Sequence, residues 1–315
     1  MKKIANDIRV MIKVCELYYN QNMKHQQIAD ILNISRPTVS KILSSALVHK
    51  IVSIDIYNLD TVKYWDLEQQ LKKKLNLNDI VIVDTTENDT ELKARLGNAA
   101  AKYLEHTVKD GDLIGISMGS TLYHIANYQF EHTQNNITFV PLIGGMGNLR
   151  TELHSNHLAE KLTKVYGGTF VPLYAPARVS SASVRRELVK EPSVASVLSL
   201  QKNLSISVVG IGYPNENSSI KATGYYKTNE IQSLIERGVS GEICMQFYDI
   251  QGNTSQYKND NNIIGLDINR LKKIPCSIGV AGGIDKLTAI KGAIKGQYIN
   301  TLITDYSCAE ALLCD

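Results

Sequence analysis

Glycine-rich turns with hydroxyl side chains are the part of this sequence best suited to chemistry. Residues 117–121 read Ser-Met-Gly-Ser-Thr and lead from an apolar run into a helical pattern. A glycine lets a ligand approach the backbone closely, and the free N–H groups at a helix start attract an anion. Gly119, Ser120 and Thr121 combine these features with two hydroxyls, so we predict that they hold a phosphate group.

Three further glycine turns follow apolar runs in the same way, at residues 144–148, 210–212 and 281–286. A single turn of this kind is more often ordinary turn chemistry than a ligand site. Four of them at the ends of predicted parallel strands favour one shared site, because ligands of open α/β sheets bind at the carboxyl ends of the strands.

Four charged residues are candidates to complete this site. Lys286 and Arg178 could neutralise a phosphate, or each is a solvated surface charge. Glu242 and Asp249 could accept hydrogen bonds from sugar hydroxyls. Asp249 has a second interpretation as a turn residue before Gln251.

A second motif, at residues 25–43, predicts a helix-turn-helix. Two helices that cross steeply need a small residue at the crossing, which Ala29 supplies, and a turn residue that tolerates positive φ, which Asn33 supplies. Ser35 is a good N-cap and Pro37 fits the first helical turn. The apolar residues that would face the crossing are Ile28, Leu32, Ile34, Val39 and Ile42.

The outward face of the second helix is suited to DNA. It carries short donors and cations that can reach base edges and phosphates, and no acidic residue occurs between Ile31 and Ile54. The alternating run at 51–56 follows as the wing of a winged helix-turn-helix would. A helical hairpin for protein contacts is the alternative, but it would not require Ala29, Asn33 and an acid-free face together. The residues of the outward face are Arg36, Thr38, Ser40, Lys41 and Ser44.

The remaining elements predict the fold class and three regions. Apolar runs, several of them β-branched, alternate with helical patterns such as 89–106, 155–166 and 284–295. This rhythm predicts an α/β fold with a doubly wound, mostly parallel sheet. We therefore expect a winged helix-turn-helix domain at 1–58, a linker or oligomerisation helix at 59–78, and a sensor domain at 79–315. The seven predicted strands are 80–83, 113–116, 138–142, 169–173, 206–209, 277–280 and 301–304.

Composition limits the function classes. The formal net charge is +3, so any DNA contact must come from a local patch. The five cysteines are scattered and form no C-x-x-C pair, and the histidines form no zinc spacing, so we expect reduced thiols in a cytoplasmic protein and no metal or cofactor. The absence of a long apolar run leads us to expect no membrane segment.

With both halves in view, the chain resembles the SorC family of bacterial sugar-responsive regulators over nearly its whole length. The resemblance implies a sensor related to the ribose-phosphate and glucosamine-phosphate isomerases, used for binding rather than turnover. It also implies a sugar or sugar-phosphate effector and a homo-oligomer that is a dimer of dimers. The motifs that carry it are 27–29, 35–40, 111–117 with Gly119, 142–147, 175–176, 210–212, 241–243 with Phe247 and Asp249, and 280–283 with Lys286.

Residue roles follow from this resemblance position by position. Gly119, Ser120 and Thr121 would hold the phosphate together with Lys286. A second set would frame the sugar, namely Gly144, Gly145, Gly147, Asn156 and Glu242. The DNA-binding set is Gln27, Ser35, Arg36, Pro37, Thr38, Ser40, Lys41 and Ser44.

We therefore expect a DNA-binding transcriptional regulator of a carbohydrate-utilisation operon that is not an enzyme. An active sugar-phosphate isomerase with an appended DNA module is the alternative, but it needs a positioned carboxylate base. No carboxylate pair at a strand end is evident beyond Asp249 and Glu242. An architectural DNA-binding protein without a ligand would leave the glycine turns unexplained.

Overall fold

The computed structural model describes residues 7–52, 63–131, 136–147, 150–215 and 218–314, and the chain divides into two compact units. The smaller unit comprises Met1–Lys63 and the larger one Tyr64–Asp315. Each unit has its own hydrophobic core within the described residues.

The smaller unit is built from three helices, α1 (Ile8–Cys15), α2 (His25–Leu32) and α3 (Arg36–Val48). A π-helical turn, Glu16–Asn20, extends α1. Met11, Val14, Ile28, Val39 and Ile42 are almost completely buried where the three helices meet. An apolar face on each helix therefore forms the core of this unit.

The turn between α2 and α3 has the geometry that its sequence predicts. Asn33 ends α2 in the left-handed region with φ 50°, and Ala29 is buried at the crossing. Ser35 caps α3 by accepting a hydrogen bond from the backbone N–H of Thr38 at 3.3 Å. The predicted wing at 51–56 lies outside the described residues from position 53 onward.

The charged stretch after the smaller unit forms helix α4 (Trp65–Leu75), the first helix of the larger unit, and it packs against the core of that unit. Leu71 is fully buried, while Leu67 and Leu75 are half-buried against the same core. The Glu68 carboxylate also accepts a hydrogen bond from the backbone N–H of Ile82 at 2.9 Å. The apolar stripe of α4, formed by these three leucines, therefore faces the core of the larger unit.

The larger unit contains a seven-stranded parallel sheet with the strand order β1-β9-β8-β5-β2-β3-β4. All seven strands predicted from the sequence are present, although the fourth is shorter than predicted. The strands are β1 (Asp79–Val83), β2 (Leu113–Ile116), β3 (Thr138–Pro141), β4 (Thr169–Phe170), β5 (Ile206–Gly210), β8 (Cys276–Val280) and β9 (Thr301–Asp305).

Both faces of the sheet are covered by helices, which is why its strands are apolar at consecutive positions. On β1, Ile80 and Ile82 enter one core cluster while Val81 and Val83 pack against the other. The α/β fold with a mostly parallel sheet is therefore confirmed. The described helices of this unit after α4 are α5 (Asp89–Thr107), α6 (Ser120–Ala126), α7 (Ser155–Tyr166), α8 (Ala182–Leu188), α9 (Pro192–Leu200), α10 (Ser219–Ala222), α11 (Thr228–Glu236), α12 (Ile268–Leu271), α13 (Leu287–Lys295) and α14 (Tyr306–Cys314).

A two-stranded antiparallel hairpin outside the main sheet was not among the predicted strands. It consists of β6 (Gly241–Ile243) and β7 (Gln246–Tyr248). Three-residue strands are too short to show an alternating pattern, so periodicity gave no signal for them. Among the described helices, none is both long and apolar enough to cross a membrane.

Candidate functional site

The strand order reverses between β2 and β5, and this is where the main cavity of the larger unit lies. From β2 the chain continues outward through β3 and β4, whereas β5 is followed by β8 and β9 on the other side. Two neighbouring strands whose connections run in opposite directions leave a crevice at their carboxyl ends. A cavity of about 780 Å³ occupies this position, and the turns after β2, β5 and β8 contribute to its wall.

The turn from β2 into α6 presents unpaired hydroxyls to the cavity. Gly119 has φ 137° and ψ 159°, a conformation open essentially to glycine alone. Its N–H donates to the carbonyl of Leu153 at 3.1 Å, which fixes the turn. Ser120 and Thr121 line the cavity, and within the described residues neither hydroxyl has a hydrogen-bond partner. Both are therefore available to a ligand.

The hairpin β6–β7 places a carboxylate in the cavity wall. The backbones of Glu242 and Gly212 exchange two hydrogen bonds, of 3.0 and 2.8 Å. A Cβ atom on Gly212 would lie 2.2 Å from the Glu242 Oε1 atom, so a larger residue at this position would displace the carboxylate. Glu242 Oε2 accepts a hydrogen bond from the N–H of Met245 at 2.8 Å.

The turn that Glu242 holds has an uncommon backbone. Cys244 and Met245 have φ values of 52° and 59°, both in the left-handed region that side chains other than glycine and asparagine rarely adopt. The hydrogen bond from Met245 to the Glu242 carboxylate compensates part of this cost. The Glu242 side chain thus lines the cavity and also stabilises the turn of its own hairpin.

The charged groups of the cavity shift one another's pKa values. Burial raises the pKa of Glu242 to about 7, against the opposing effects of the Met245 N–H and the positive charge of Lys286. Burial also lowers the pKa of Lys286, and the nearby charge of Lys93 lowers it further. The two ammonium groups repel each other across the cavity, and an anion bound between them would reduce this repulsion.

Asp305 organises the opposite wall from the end of β9. It is fully buried, and its carboxylate accepts hydrogen bonds from the Gly283 N–H and the Thr85 hydroxyl, both at 2.8 Å. The turn after β8 is therefore tied to the turn after β1. This arrangement brings Lys286 to the cavity beside Gly283.

Sequence reasoning missed several residues of the cavity, among them Lys93, Thr85, Tyr213 and Asp305. Lys93 lies on α5 and pairs with Asp89 one helical turn earlier, which looks like an ordinary surface ion pair in the sequence. Asp305 could have been noticed, because it is a carboxylate directly after the predicted strand 301–304. Thr85 and Tyr213 gave no signal beyond their positions after strands.

The turn after β3 does not line this cavity. A Cβ atom on Gly144 would lie 2.4 Å from the carbonyl oxygen of Ala175, and Gly145 exchanges backbone hydrogen bonds with Ala175 and Ala177. Gly147 is exposed and likewise lies outside the cavity lining. Gly144 and Gly145 serve close packing of two chain segments.

Asn156 also lies outside the cavity lining. Its side chain donates to the carbonyl of Leu173 at 3.1 Å and accepts from the N–H of the same residue at 2.9 Å. Both polar atoms of the carboxamide are thereby engaged with one backbone position, which braces the segment after β4.

The remaining two predicted residues are engaged elsewhere. Arg178 stacks on the ring of Tyr226 at 4.1 Å and donates to the carbonyl of Tyr225 at 2.5 Å. Asp249 accepts hydrogen bonds from the backbone N–H groups of Gln251 and Asn253, so it is the turn residue of the alternative interpretation. Of the predicted effector set, the structure brings together Gly119, Ser120, Thr121, Glu242 and Lys286.

The outward face of α3 is polar and open to solvent. Arg36, Pro37, Ser40, Lys41 and Ser44 are exposed, whereas Thr38 is half-buried. The hydroxyls of Ser35 and Thr38 bond to each other at 2.7 Å. The side chain of Gln27 accepts from the N–H of Lys24 at 2.9 Å and so caps its own helix. Arg36 and Lys41 are the cations that this face offers to phosphates and base edges.

No cluster of three or more metal-ligating side chains occurs in the part of the chain that the structure describes. Two hydroxyls, a helix start and two lysines suit an anionic group, and the Glu242 carboxylate suits a hydroxyl donor. The arrangement can bind a small molecule that carries both.

Comparison with known families gives two matches. Residues 60–314 match the family described as "Putative sugar-binding domain", and residues 13–49 match the family described as Sigma-70, region 4. The first match covers most of the larger unit, including the cavity, and the second covers the helix-turn-helix.

Individual relatives match along nearly the full length. The chain is 31% identical to the sorbitol operon regulator of Klebsiella pneumoniae, over 98% of this chain and 99% of that protein. It is also 31% identical to the deoxyribonucleoside regulator of Bacillus subtilis, over 98% of each. The crystal structure of the full-length Klebsiella regulator SorC aligns with a TM-score of 0.73 and covers 98% of this chain and 99% of that one.

Proposed function

The chain belongs to the SorC family of transcriptional regulators with a sugar-binding domain, and from this we propose that it is a DNA-binding regulator of a carbohydrate-utilisation operon. In this proposal α3 binds the operator, and a sugar or sugar phosphate in the cavity sets the affinity for DNA. The relatives named as a sorbitol operon regulator and a deoxyribonucleoside regulator support this function.

The observation that carries the effector proposal is the pair of unbonded hydroxyls on Ser120 and Thr121, in a cavity that Lys286 also lines. A phosphate dianion needs N–H donors, hydroxyls and a cation together. We propose that the phosphate of the effector binds at this turn, and that Glu242 accepts a hydrogen bond from a sugar hydroxyl.

We further propose that the cavity binds its ligand without turnover. Isomerisation through an enediol requires a carboxylate base that can take a proton from the substrate carbon. One oxygen of the Glu242 carboxylate is held by the Met245 N–H, and the buried Asp305 carboxylate is held by the Gly283 N–H and the Thr85 hydroxyl. Asp249 lies in a turn outside the cavity lining. Incubating the full chain with ribose 5-phosphate or glucosamine 6-phosphate and assaying for the isomerised product would test this. Multiple turnovers would contradict it.

The effector itself can be identified by a thermal-shift screen of sugars and sugar phosphates on the full chain. A ligand that binds only the folded state raises the midpoint temperature of unfolding by mass action. At equal concentration, a specific effector should therefore give a larger shift than the other compounds. A phosphorylated sugar that shifts the wild type but not Ser120→Glu supports the proposed position of the phosphate.

DNA recognition is tested with an operator selected by the full chain from a random double-stranded library. Arg36→Ala or Lys41→Ala should weaken binding to that operator by about 1–3 kcal/mol for a base-edge contact. The matched control is Lys24→Ala, an exposed cation that caps α2 outside the proposed face. Unchanged affinity in both test variants at fixed salt would contradict the assignment of α3.

We propose that the protein acts as a homo-oligomer, a dimer of dimers. Two recognition helices placed about one helical turn apart on a palindrome require paired DNA modules. Because α4 packs its leucines against the larger unit, it would pair the modules by fixing the end of the linker rather than through its apolar stripe. Sedimentation of the full chain at micromolar concentration, with and without operator, tests this, and a monomer under both conditions would refute it.

A further inference from the structure

A second, smaller groove lies on the larger unit and shares no lining residue with the main cavity. It has a volume of about 430 Å³ and runs between α8 and the segments around Lys258 and Asn269. Its floor includes Gln246, whose side chain donates to the Leu266 carbonyl at 2.7 Å and accepts from the Ile268 N–H at 3.1 Å. The carboxamide thereby ties β7 to the segment 266–268.

Three cations line this groove, namely Arg185, Arg186 and Lys258. In the described part of the chain, none of the three forms an ion pair with a carboxylate at a distance of 4 Å or less. The one acidic lining residue, Asp267, uses its Oδ1 atom to accept from the Asn269 backbone and side chain. The groove therefore has an excess of positive charge.

The acidic residues next to these cations in the sequence are occupied elsewhere. Glu187 follows Arg186 directly but pairs with Lys190 at 3.0 Å. Asp260 lies two positions after Lys258 but receives both terminal nitrogens of Arg237, at 2.9 and 3.0 Å. A solvated surface usually intersperses charges of both signs, so the segregation here leaves cations free for an external anion.

One of the three cations is held in place. Arg185 donates from Nε to the carbonyl of Ile263 at 2.8 Å, which leaves its terminal guanidinium nitrogens without a partner among the described residues. The carboxamides of Asn261 and Asn262 also line the groove. Asn261 Oδ1 accepts from the Phe247 N–H at 3.2 Å and Asn262 Nδ2 donates to the Asn259 carbonyl at 3.1 Å, so the other polar atom of each can serve a neutral hydroxyl. A fixed guanidinium suits bidentate recognition of a phosphate.

We propose that this groove is a second ligand site, which binds the phosphate group of a small phosphorylated molecule. The volume exceeds what an inorganic phosphate alone would fill, and the asparagine side chains provide partners for the hydroxyls of an attached organic group. The site is independent of the effector cavity, since the two have separate walls.

The test uses the full chain carrying Ser120→Glu, so that binding of phosphate in the main cavity is blocked. Isothermal titration is performed with glucose 6-phosphate, inorganic phosphate and glucose. We expect the ester to bind more tightly than inorganic phosphate and glucose not to bind. Adding the double substitution Arg186→Ala and Lys258→Ala should lower the affinity for the ester by about tenfold or more, because charge-assisted hydrogen bonds are lost. Both residues are exposed, so folding should not depend on them.

Lys202→Ala is the matched control, because Lys202 is an exposed cation of the same unit that lines neither cavity. Equal affinity with and without the two groove substitutions would overturn the proposal. Binding of inorganic phosphate alone would overturn it as well, and so would displacement of the ester by duplex DNA. A loss of oligomer in sedimentation, without any change in ester affinity, would show that the groove is an interface instead.

Discussion

Two glycine turns of this protein follow neighbouring parallel strands, and they do different things. The turn after β2 leaves Ser120 and Thr121 without partners in the described structure and facing a cavity. The turn after β3 packs Gly144 and Gly145 against the backbone of residues 175–177. Glycines at a strand end thus allow another group to approach the backbone closely. Where free polar atoms surround the glycine that group can be a ligand, and where they are absent it is another segment of the chain.

The substitution that should affect this contrast most is Ser120→Glu. A carboxylate placed at the turn after β2 would repel a phosphate and fill its space, so the effector should no longer alter DNA affinity at all. Binding to the operator without effector should survive, because the helix-turn-helix belongs to a separate unit with its own core. Operator affinity is measured with and without the effector in both proteins.

By linkage, the effector and the operator change each other's affinity by the same factor. Effector affinity measured with and without operator therefore provides an independent check. A Ser120→Glu variant that responds at wild-type effector concentrations would show that the phosphate binds elsewhere.

Gly144→Ala tests the other turn. The new Cβ atom would lie 2.4 Å from the Ala175 carbonyl oxygen, and backbone atoms of Pro176 are also within 2.9 Å. Neighbouring backbone cannot move as a side chain can, so we expect the free energy of unfolding to fall by about 3 kcal/mol. Effector affinity of the remaining folded protein should stay unchanged. A large loss of affinity without loss of stability would show that the turn after β3 belongs to the site.

The turn after β2 lines the cavity and the turn after β3 does not, and the sequence could not separate the two for a physical reason. Both have glycines after an apolar run, and the sequence does not show what lies opposite them. The partner of Gly144 comes from residues 175–176, about thirty positions later, and long-range packing of that kind leaves no local pattern.

The strands of the sheet were predictable because burial on both faces makes them apolar at consecutive positions. The helix-turn-helix was predictable because its turn and cap chemistry is local to residues 29–38. Asp249 and Asn156 were assigned to the ligand from their residue types and the family resemblance, whereas in the structure backbone groups satisfy them. Polar residues that brace loops and those that bind ligands are the same residue types.

The pH dependence of stability tests the environment of Glu242 in the cavity. Because burial raises its pKa to about 7 from an ordinary value of 4.5, the folded state retains a proton that the unfolded chain has already released in this window. Stability should therefore fall as pH rises from about 4.5 through about 7. Glu242→Gln does not titrate and should lose this dependence, becoming the more stable of the two above neutral pH by on the order of 2 kcal/mol.

Denaturant unfolding of the wild type and Glu242→Gln at several pH values measures this effect. Glutamine can still accept the hydrogen bond from Met245, so the hairpin turn should be preserved. Parallel stability curves for the two proteins across the window would contradict the raised pKa. Asp249→Asn is a useful control, because Asp249 is a carboxylate of the same unit that lies outside the cavity lining.

The smallest effect on ligand binding is expected for Asn156→Ala, and this substitution tests how far the ligand site extends. Asn156 uses its carboxamide on the backbone N–H and carbonyl of Leu173, so alanine should lower the free energy of unfolding by about 1 kcal/mol through loss of these hydrogen bonds. Because the residue does not line the cavity, effector affinity should change by less than about twofold, a difference well under 1 kcal/mol. Ser120→Ala is the comparison, since it removes one hydroxyl from the turn after β2 and should weaken effector binding without a comparable loss of stability. Titration of the effector into both variants at a temperature where each is folded separates the two roles. If Asn156→Ala weakened the effector as much as Ser120→Ala does, the site would extend from the cavity to the segment after β4, and the division between the two glycine turns would no longer hold.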